Sequence, residues 1–358
     1  MLTTPNILRA GLISIAILLA GCPGGEESPD PDMGEGPPIT PEPPEPPPPP
    51  PPPSGEYHGV GPEGSYDVRI TREITYTTGL VNLTNPQPMD LLLDLFEPDV
   101  DLTGGDVPAV VVIHGGGFKK GSRSHGQMQA FAEEFARRGF IAVSIDYRLI
   151  PDDPALRPSF QDALDDLGIP SSQQTFARAQ LAAVEDTLQA IAWIKEVAAG
   201  NDFSIAGFGL LGESAGAVTS INLAYALDDL GLEVPEIGAV VGLWGTIGLA
   251  YDPAASVVTV DEAPIIMIHG TADTVVNYET GSLRIANRAE AIGLPYELIS
   301  NVGAGHSFYD NHVFEFETMP GSGVTQAERV MDFVSIALMA PDCLREQGVI
   351  DACGLPGQ

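Results

Sequence analysis

Apolar residues follow two spacings between about residue 65 and residue 340 of the chain. Short continuous apolar runs predict buried strands, and apolar positions three and four residues apart predict amphipathic helices. The two kinds of segment alternate, which indicates an α/β fold with a mostly parallel sheet and helices on both faces. The predicted strands cover residues 89–98, 109–117, 140–149, 205–214, 238–245, 264–270 and 296–303. The clearest predicted helices cover residues 125–139, 175–200 and 215–228.

A serine between two glycines occupies the turn from one predicted strand into the next helix. The stretch LLGESAGAV (210–218) has an apolar run before Ser214 and small residues after it. A tight corner of this kind strains the residue at its apex and presents its side chain at the edge of the sheet. Gly212, Gly216 and Ala215 suit the corner because larger side chains would collide with the flanking strand and helix. The pattern predicts a nucleophile, but it arises by chance in roughly one such glycine-rich chain in four, so it requires partners.

A base and an acid follow the serine in the chain. Serine is a weak nucleophile unless a base lies beside it. His306 lies in the small-residue loop VGAGHSFYD (302–310), after the last predicted strand. Asp273 lies in HGTAD, just past the end of the strand before that. We predict that His306 is the general base and that Asp273 orients it, in the chain order serine, aspartate, histidine.

A glycine-rich loop follows an earlier predicted strand and supplies the remaining requirement. In HGGGF (114–118), glycines let the backbone approach a substrate carbonyl closely. Backbone N–H groups aimed at developing negative charge form an oxyanion hole. We predict Gly116 and Gly117 as donors, with the N–H of Ala215 as a third. His114 is expected to brace the loop.

These motifs together resemble the esterase and lipase branch of the α/β-hydrolases. IHGGGFKKGS, SIDYRL, VEDTLQAIAWIK, LLGESAGA, HGTADTVV and GAGHSF recur in that order in this branch. The resemblance covers roughly residues 65–340 and is closest to carboxylesterases, hormone-sensitive-lipase-like enzymes, and acetyl-xylan and feruloyl esterases. It implies an α/β-hydrolase fold with Ser214 as nucleophile, His306 as base and Asp273 as acid. Carboxylesterases with GESAG often use glutamate as the acid, so Glu279 remains an alternative.

The N-terminus resembles the signal peptide of bacterial lipoproteins. Residues 1–21 combine one arginine with an apolar run too short to span a bilayer, and LAGC ends at Cys22. In that family the cysteine is lipidated and becomes the new N-terminus. The residue after it is proline, which favours the outer membrane of the cell envelope. A plain secretory signal with an incidental cysteine is the alternative. We predict that residues 22–63 form a proline-rich linker that holds the domain at 64–340 off the membrane, with the run at 37–53 in a polyproline II conformation.

Composition and cysteine usage exclude several classes of partner. The chain has 49 acidic and 16 basic residues and a formal net charge of −33, which argues against nucleic acid because phosphate binding needs clustered lysine and arginine. Cys343 and Cys353 lie in the C-terminal tail at 341–358. An exported chain meets an oxidising compartment, so this pair predicts a disulfide. No metal cluster or cofactor motif is found, and we predict none.

Other residues near the motifs receive structural interpretations. His269 ends a strand before a glycine and is predicted to be structural, and His125 begins a helix and is expected at the surface. Arg148, at a strand end, is predicted to form a salt bridge with Asp186. Trp244 closes the strand after the nucleophile helix, where it either lines the pocket or packs in the core.

The function predicted from the sequence is hydrolysis of carboxylic esters through an acyl-enzyme. The connection at 246–263 is too short for a helical cap, and the proline-rich linker cannot build one, so no large cap domain is expected. The only sizeable wall is residues 150–174. An open site favours small-molecule esters with short acyl groups, or ester-decorated polysaccharide. Two alternatives stay open: a serine peptidase of the same fold, and a non-catalytic adhesion or scaffold protein.

Overall fold

The computed structural model describes residues 55–62, 64–249, 257–306, 312–318 and 321–354. The chain divides into two units, Met1–Pro53 and Ser54–Gln358. The predicted signal peptide, Cys22 and nearly all of the proline-rich linker lie outside the described residues. None of the helices in the described ranges is long and apolar enough to cross a membrane.

The core of the second unit is one eight-stranded sheet with the order β1-β2-β4-β3-β5-β6-β7-β8. Strand β2 is antiparallel to both of its neighbours, and the pairs from β4 to β8 are all parallel. The strands are β1 Val68–Val81, β2 Gln87–Pro98, β3 Asp106–Ile113, β4 Ile141–Ile145, β5 Ser204–Glu213, β6 Ala239–Leu243, β7 Ile265–Gly270 and β8 Tyr296–Asn301. The carboxyl ends of the parallel strands therefore meet at one edge, where α/β sheets hold their ligands.

Helices cover both faces of this sheet, as predicted. They are α1 Gly126–Arg137, α2 Pro158–Asp166, α3 Ser171–Gly200, α4 Ala215–Tyr225, α5 Ser282–Ile292, α6 His312–Glu315, α7 Gln326–Met339 and α8 Pro341–Gln347, with 3-10 turns at Ile150–Asp152 and Ile350–Ala352. Helices α1 and α7 share one core cluster, whereas α3 and α4 share another with the opposite face. Helix α5 packs with α4 over the β6 and β7 side of the sheet.

The alternation of side chains along a strand explains why β3 reads as a continuous apolar run. Val110 and Val112 belong to the cluster with α1 and α7, and Val111 and Ile113 belong to the cluster with α3. Successive side chains of a strand point to opposite faces, so a strand covered on both faces must be apolar throughout. All four side chains are fully buried.

The seven predicted strands are all present, and an eighth, β1, is additional to them. Strand β1 pairs with β2 in an antiparallel hairpin at the edge of the sheet. The predicted strands at 109–117 and 140–149 end earlier, at Ile113 and Ile145, because the residues that follow turn into loops. The predicted wall at 150–174 contains the first 3-10 turn, α2 and the first residues of α3.

Two predicted cross-links are present in the structure. The Arg148 guanidinium lies 2.7 Å from Asp186 Oδ1, and both side chains are buried, so the predicted salt bridge is correct. Cys343 and Cys353 are joined by a disulfide. The disulfide ties the start of α8 to the second 3-10 turn, next to Leu344 and Ile350, which are buried in the same cluster as α7. The C-terminal segment is therefore packed on the domain over its described residues.

Candidate active site

Ser214 is the residue between β5 and α4, and its backbone conformation is unusual. Its φ is 50° and its ψ is −111°, outside the regions that non-glycine residues normally occupy. A Cβ at Gly212 would lie 2.1 Å from the backbone carbon of Gly216, and a Cβ at Gly216 would lie 2.1 Å from the Ile113 carbonyl oxygen of β3. Glycine is therefore required at both positions, because α4 and β3 press against the corner from two sides.

Three of the predicted residues form a continuous chain of hydrogen bonds at the carboxyl edge of the sheet. Ser214 Oγ lies 2.9 Å from His306 Nε2, and His306 Nδ1 lies 2.7 Å from Asp273 Oδ2. An ionised carboxylate only accepts, so Nδ1 carries the proton and the Nε2 lone pair faces the serine hydroxyl. The hydroxyl donates to Nε2, which is the arrangement that a general base requires.

The carboxylate of Asp273 is fully buried and accepts four hydrogen bonds. Oδ1 accepts from the backbone N–H of Val275 and Val276, at 2.8 Å and 3.0 Å. Oδ2 accepts from His306 and also from His269 Nε2, at 3.1 Å. Burial by itself raises the pKa of Asp273, but these hydrogen bonds outweigh burial and hold the pKa well below its ordinary value. The residue is therefore ionised across the working range of most enzymes.

Asp273 rather than Glu279 is the acid in contact with the imidazole. Glu279 is exposed on the segment between β7 and α5. Trp244 is 1% exposed and has a φ of 44°, and its ring meets the ring of His306 edge to face at 6.5 Å between centroids. It therefore packs behind the histidine, in the core. His306 itself keeps 16% of its side chain exposed, so solvent reaches the base.

The glycine loop after β3 lies against this corner. Gly116 has a φ of 115° and Gly117 a φ of 64°, both in the region that favours glycine, and a Cβ at Gly116 would lie 1.9 Å from the Lys120 carbonyl oxygen. Within the described part of the chain, no hydrogen bond occupies the backbone N–H of Gly116, Gly117 or Ala215. The three predicted oxyanion donors are thus available to a ligand.

His114 braces this loop, as the sequence predicted. Its Nδ1 donates to the Gly115 carbonyl at 2.7 Å, and its ring stacks on that of Tyr147 with centroids 4.3 Å apart. The Tyr147 hydroxyl donates to the His114 carbonyl at 2.8 Å. Burial lowers the pKa of His114 to about 4, so the ring is neutral at neutral pH. It packs and positions the loop without carrying charge.

Glu213 is the residue before the nucleophile, and its side chain contacts the glycine loop. Its Oε1 accepts from the Gly115 N–H and its Oε2 from Gln127 Nε2, each at 3.3 Å. His125 Nδ1 lies 3.6 Å from the same carboxylate, and its side chain is partly buried, so the expected surface position is only partly right. The carboxylate therefore joins the oxyanion loop, the start of α1 and the nucleophile corner.

His269 is the site residue whose contacts the sequence did not indicate. The predicted structural role placed it only at the end of a strand, whereas its ring touches the triad carboxylate. The usable signal is a histidine four residues before the acid, across the turn at the end of β7. Over the described ranges, no group of three or more histidine, cysteine, aspartate or glutamate side chains is arranged to hold a metal ion.

Comparisons with known proteins agree with this architecture. A family model described as BD-FAE matches residues 93–163. The butyrate-bound structure of esterase 2 from Thermogutta terrifontis is 19% identical, covers 79% of this chain and 97% of that chain, and has a TM-score of 0.50. The chain has the α/β-hydrolase fold. The propionate-bound form of that α/β-hydrolase is 21% identical, covers 78% of this chain and 96% of that one, and has a TM-score of 0.48.

Curated relatives match a smaller share of the chain. A non-reducing polyketide synthase from Stereocaulon alpinum is 27% identical over 157 residues, which is 44% of this chain and 5% of that protein. Another, from Penicillium brasilianum, is 39% identical over 83 residues, or 22% of this chain and 3% of that protein. The chain thus spans about a twentieth or less of the length of these relatives.

Proposed function

We propose that this protein is a serine hydrolase of carboxylic esters. The observation that carries the proposal is the hydrogen-bonded chain from Ser214 through His306 to the buried carboxylate of Asp273, with the serine on a strained corner. The same three groups in the same connectivity activate serine nucleophiles on several unrelated folds. The α/β-hydrolase fold and the BD-FAE match support the same conclusion.

The first half of the reaction forms an acyl-enzyme. Ser214 Oγ attacks the carbonyl carbon of the ester while its proton moves to His306 Nε2. The carbonyl oxygen of the ester gains the negative charge, and the N–H groups of Gly116, Gly117 and Ala215 stabilise it. The tetrahedral intermediate then collapses, the C–O bond to the alcohol breaks, and the alcohol leaves with the proton from Nε2. The negative charge of Asp273 stabilises the imidazolium that exists between these two proton transfers.

The second half of the reaction returns the serine. A water molecule donates its proton to His306 Nε2 and attacks the acyl carbon, and the same N–H groups stabilise the second oxyanion. The intermediate breaks its bond to Ser214 Oγ, which takes the proton back from the imidazole. The carboxylic acid leaves, and the hydrogen-bonded chain is restored.

We propose short-acyl esters, as small molecules or as decorations on polysaccharide, as the substrate class. Support comes from the open edge of the sheet: the side chain of His306 is partly exposed, and the described parts of the β6–β7 connection, 244–249 and 257–264, contain no helix. An uncapped site removes little water from a long acyl chain, so each extra CH₂ gains little of the ~0.8 kcal/mol that full burial supplies. Acetyl and butyryl esters should be hydrolysed faster than palmitoyl esters, whereas kcat/KM rising steadily to the longest chain would contradict the open site.

Labelling the serine tests the function directly. The wild-type protein should react with a fluorophosphonate at one residue, identified by peptide mass as Ser214, and Ser214→Ala should abolish both labelling and ester turnover. Ser204→Ala, which changes an exposed serine at the start of β5, is the matched control and should behave as wild type. Amide substrates measured beside esters separate an esterase from a peptidase. A wild-type protein that neither labels nor hydrolyses any ester in the panel would refute the proposal.

We also propose that the protein is held at the outer membrane of the cell envelope by a lipid on Cys22. The support is the lipobox-like LAGC sequence and the proline-rich linker that follows it. Several acyl chains are needed for firm anchoring, at about 0.8 kcal/mol per buried CH₂. Metabolic labelling with a fatty-acid analogue should mark the wild type, while Cys22→Ser should lose the label. Label that persists in Cys22→Ser would rule this anchor out.

A further inference from the structure

His269 is a fully buried histidine that contacts the same oxygen of the Asp273 carboxylate as His306 does. It is the second-to-last residue of β7, and its side chain is 0% exposed. Nε2 lies 3.1 Å from Asp273 Oδ2 and 2.9 Å from the Val276 carbonyl oxygen. Nδ1 lies 2.7 Å from Ser282 Oγ, at the start of α5. Both ring nitrogens are thus engaged, although the mechanism described so far uses neither.

The contacts fix where the ring carries its proton. Nε2 faces a carboxylate oxygen and a carbonyl oxygen, which both accept, so Nε2 carries hydrogen and donates. The Ser282 hydroxyl has one proton, and its other acceptor is the Gly245 carbonyl at 3.4 Å. The contact between the hydroxyl and Nδ1 is much the shorter of the two. It is therefore the stronger hydrogen bond, because hydroxyl hydrogen bonds weaken as they lengthen. His269 therefore donates through Nε2, and Ser282 holds the ring at Nδ1.

The ring is also packed so that it cannot turn. The ring of Tyr278 meets it edge to face at 5.7 Å between centroids, and a Cβ placed on Gly281 would lie 3.4 Å from its Cε1 atom, so the backbone before α5 packs close to the ring. An imidazole whose two nitrogens are bonded and whose edge is packed presents its N–H in one direction. That direction is toward Asp273 Oδ2 and the Val276 carbonyl oxygen, which share the N–H.

We propose that His269 is a positioning residue of the triad. This second histidine sets the orientation of the Asp273 carboxylate for His306. The proposal rests on the proposed function of the site. Oδ1 is held by the N–H groups of Val275 and Val276, and Oδ2 receives the N–H groups of both imidazoles. Without His269, the carboxylate keeps its Oδ1 anchors but loses one of the two donors that aim Oδ2. The base would then be aligned for only part of the time.

The experiment compares two substitutions that differ in the one hydrogen bond. His269→Leu fills the same space without a donor, and His269→Gln can place its amide Nε2 where the imidazole Nε2 was. The fraction of active sites is first counted by titration with a fluorophosphonate, and kcat is then expressed per titrated site. We expect about a 10- to 100-fold fall in kcat for His269→Leu, the usual worth of a hydrogen bond to a charged group, with KM unchanged because His269 is buried away from substrate. His269→Gln should recover most of that loss.

Titration separates positioning from a purely structural role. If His269→Leu only lowers the titrated fraction or the melting temperature, and kcat per titrated site equals that of the wild type, the proposal is overturned. A His269→Gln variant as slow per site as His269→Leu would overturn it too, because the donor would not be what matters. A wild-type protein that titrates no site would instead overturn the proposed function.

Ser282→Ala keeps the question answerable if neither histidine variant folds. It leaves the imidazole in place but removes the hydroxyl that anchors Nδ1, so kcat per titrated site should fall a few-fold with KM unchanged. Ser335→Ala, which removes a buried hydroxyl from α7, is the matched control and should match the wild type. Equal kcat per site in Ser282→Ala, Ser335→Ala and wild type would overturn the proposal.

Discussion

Two buried aspartates in this molecule are surrounded by different kinds of donors. Asp186 on α3 receives the backbone N–H of Arg148 at 2.8 Å and its guanidinium Nε at 3.0 Å, so its charge is matched by a permanent cation. Asp273 after β7 receives two imidazole N–H groups and two backbone N–H groups. Arginine never gives up its proton in a protein, whereas an imidazole exchanges protons near neutral pH. A buried carboxylate therefore cross-links the fold in the first case and supports proton transfer in the second.

The largest effect is expected from removing the charge of Asp273. Asp273→Asn should lower kcat about 10⁴-fold, because an amide no longer stabilises the imidazolium and can donate to Nδ1 in place of accepting from it. The fold should persist, since the amide oxygen can still accept backbone hydrogen bonds. Steady-state ester hydrolysis and far-ultraviolet circular dichroism measure the two quantities.

Glu279→Gln is the matched control for that substitution. Glu279 is exposed on the same connection and should leave kcat at the wild-type value. A large loss in Glu279→Gln, with activity kept in Asp273→Asn, would mean that the acid has been assigned to the wrong residue.

A stability effect without an activity effect is expected at the other aspartate. Arg148→Met leaves the buried carboxylates of Asp186 and Glu185 without their guanidinium, and breaking a buried pair in this way costs about 3–5 kcal/mol of unfolding free energy. Urea unfolding measures the loss, and kcat per titrated site should stay unchanged. Arg157→Met removes the second, half-exposed partner of Glu185 and should cost only about 0–1 kcal/mol. Equal losses in the two variants would show that burial does not set the strength of these pairs.

The disulfide offers a covalent cross-link to set beside this ionic one. Replacing both Cys343 and Cys353 by serine should lower the unfolding free energy by about 2–3 kcal/mol, since the closed loop is short. Intact-mass analysis before and after reduction first establishes that the wild type holds the bond, and urea unfolding then compares it with the double variant. An unchanged midpoint would mean that the packing of Leu344 and Ile350 alone holds this segment.

The smallest effect is expected at a third carboxylate, which has neither arrangement. Burial first, and then the nearby Asp228 and Asp229, raise the pKa of Glu262 from its ordinary 4.5 to about 8. The folded protein therefore holds this proton more tightly than the unfolded chain, and the resulting stability is lost as pH rises from 4.5 through 8. Glu262→Gln keeps an acceptor for the Thr259 N–H and should flatten the fall in melting temperature between about pH 5 and pH 8, the range in which this stability is lost. A parallel fall in the variant would assign the slope to another group.

The parts of the fold that the sequence predicted best are those covered on both faces. Strands such as β3 and β7 are buried throughout, so their residues are uniformly apolar and the pattern is plain. Strand β1 escapes this reasoning because its register with β2 shifts between Thr71 and Ile74 and again between Thr75 and Thr77. Each bulge changes which side chains face the core, so the alternation of apolar and polar positions that marks an edge strand is lost.

Within the site, the contacts that could be predicted are those that follow from a tight corner or from the meeting of strand ends. The corner at Ser214 is local: its glycines, strand and helix are adjacent in the sequence, and the steric reason can be stated from them. Asp273 and His306 were accessible because strand ends of a parallel sheet meet at one edge. The contacts of His269 with Asp273 and Ser282 depend on how the turn after β7 folds back to the start of α5, and the bond from Gly115 to Glu213 depends on the spacing of β3 and β5. Neither the path of that turn nor the spacing of those strands can be read from a local pattern of residues.

The close approach of β3 to the nucleophile corner bears on how the protein loses activity on heating. The Ile113 carbonyl leaves no room for a side chain at Gly216, the Gly115 N–H bonds to Glu213, and Ile113 pairs with Gly212 in the central ladder. The oxyanion loop and the serine cannot separate until that ladder opens, and central ladders open only at free energies near that of global unfolding. Thermal inactivation should therefore coincide with loss of the sheet itself, and the amides of residues 111–113 and 210–213 should exchange with deuterium as one cooperative, slowly opening group.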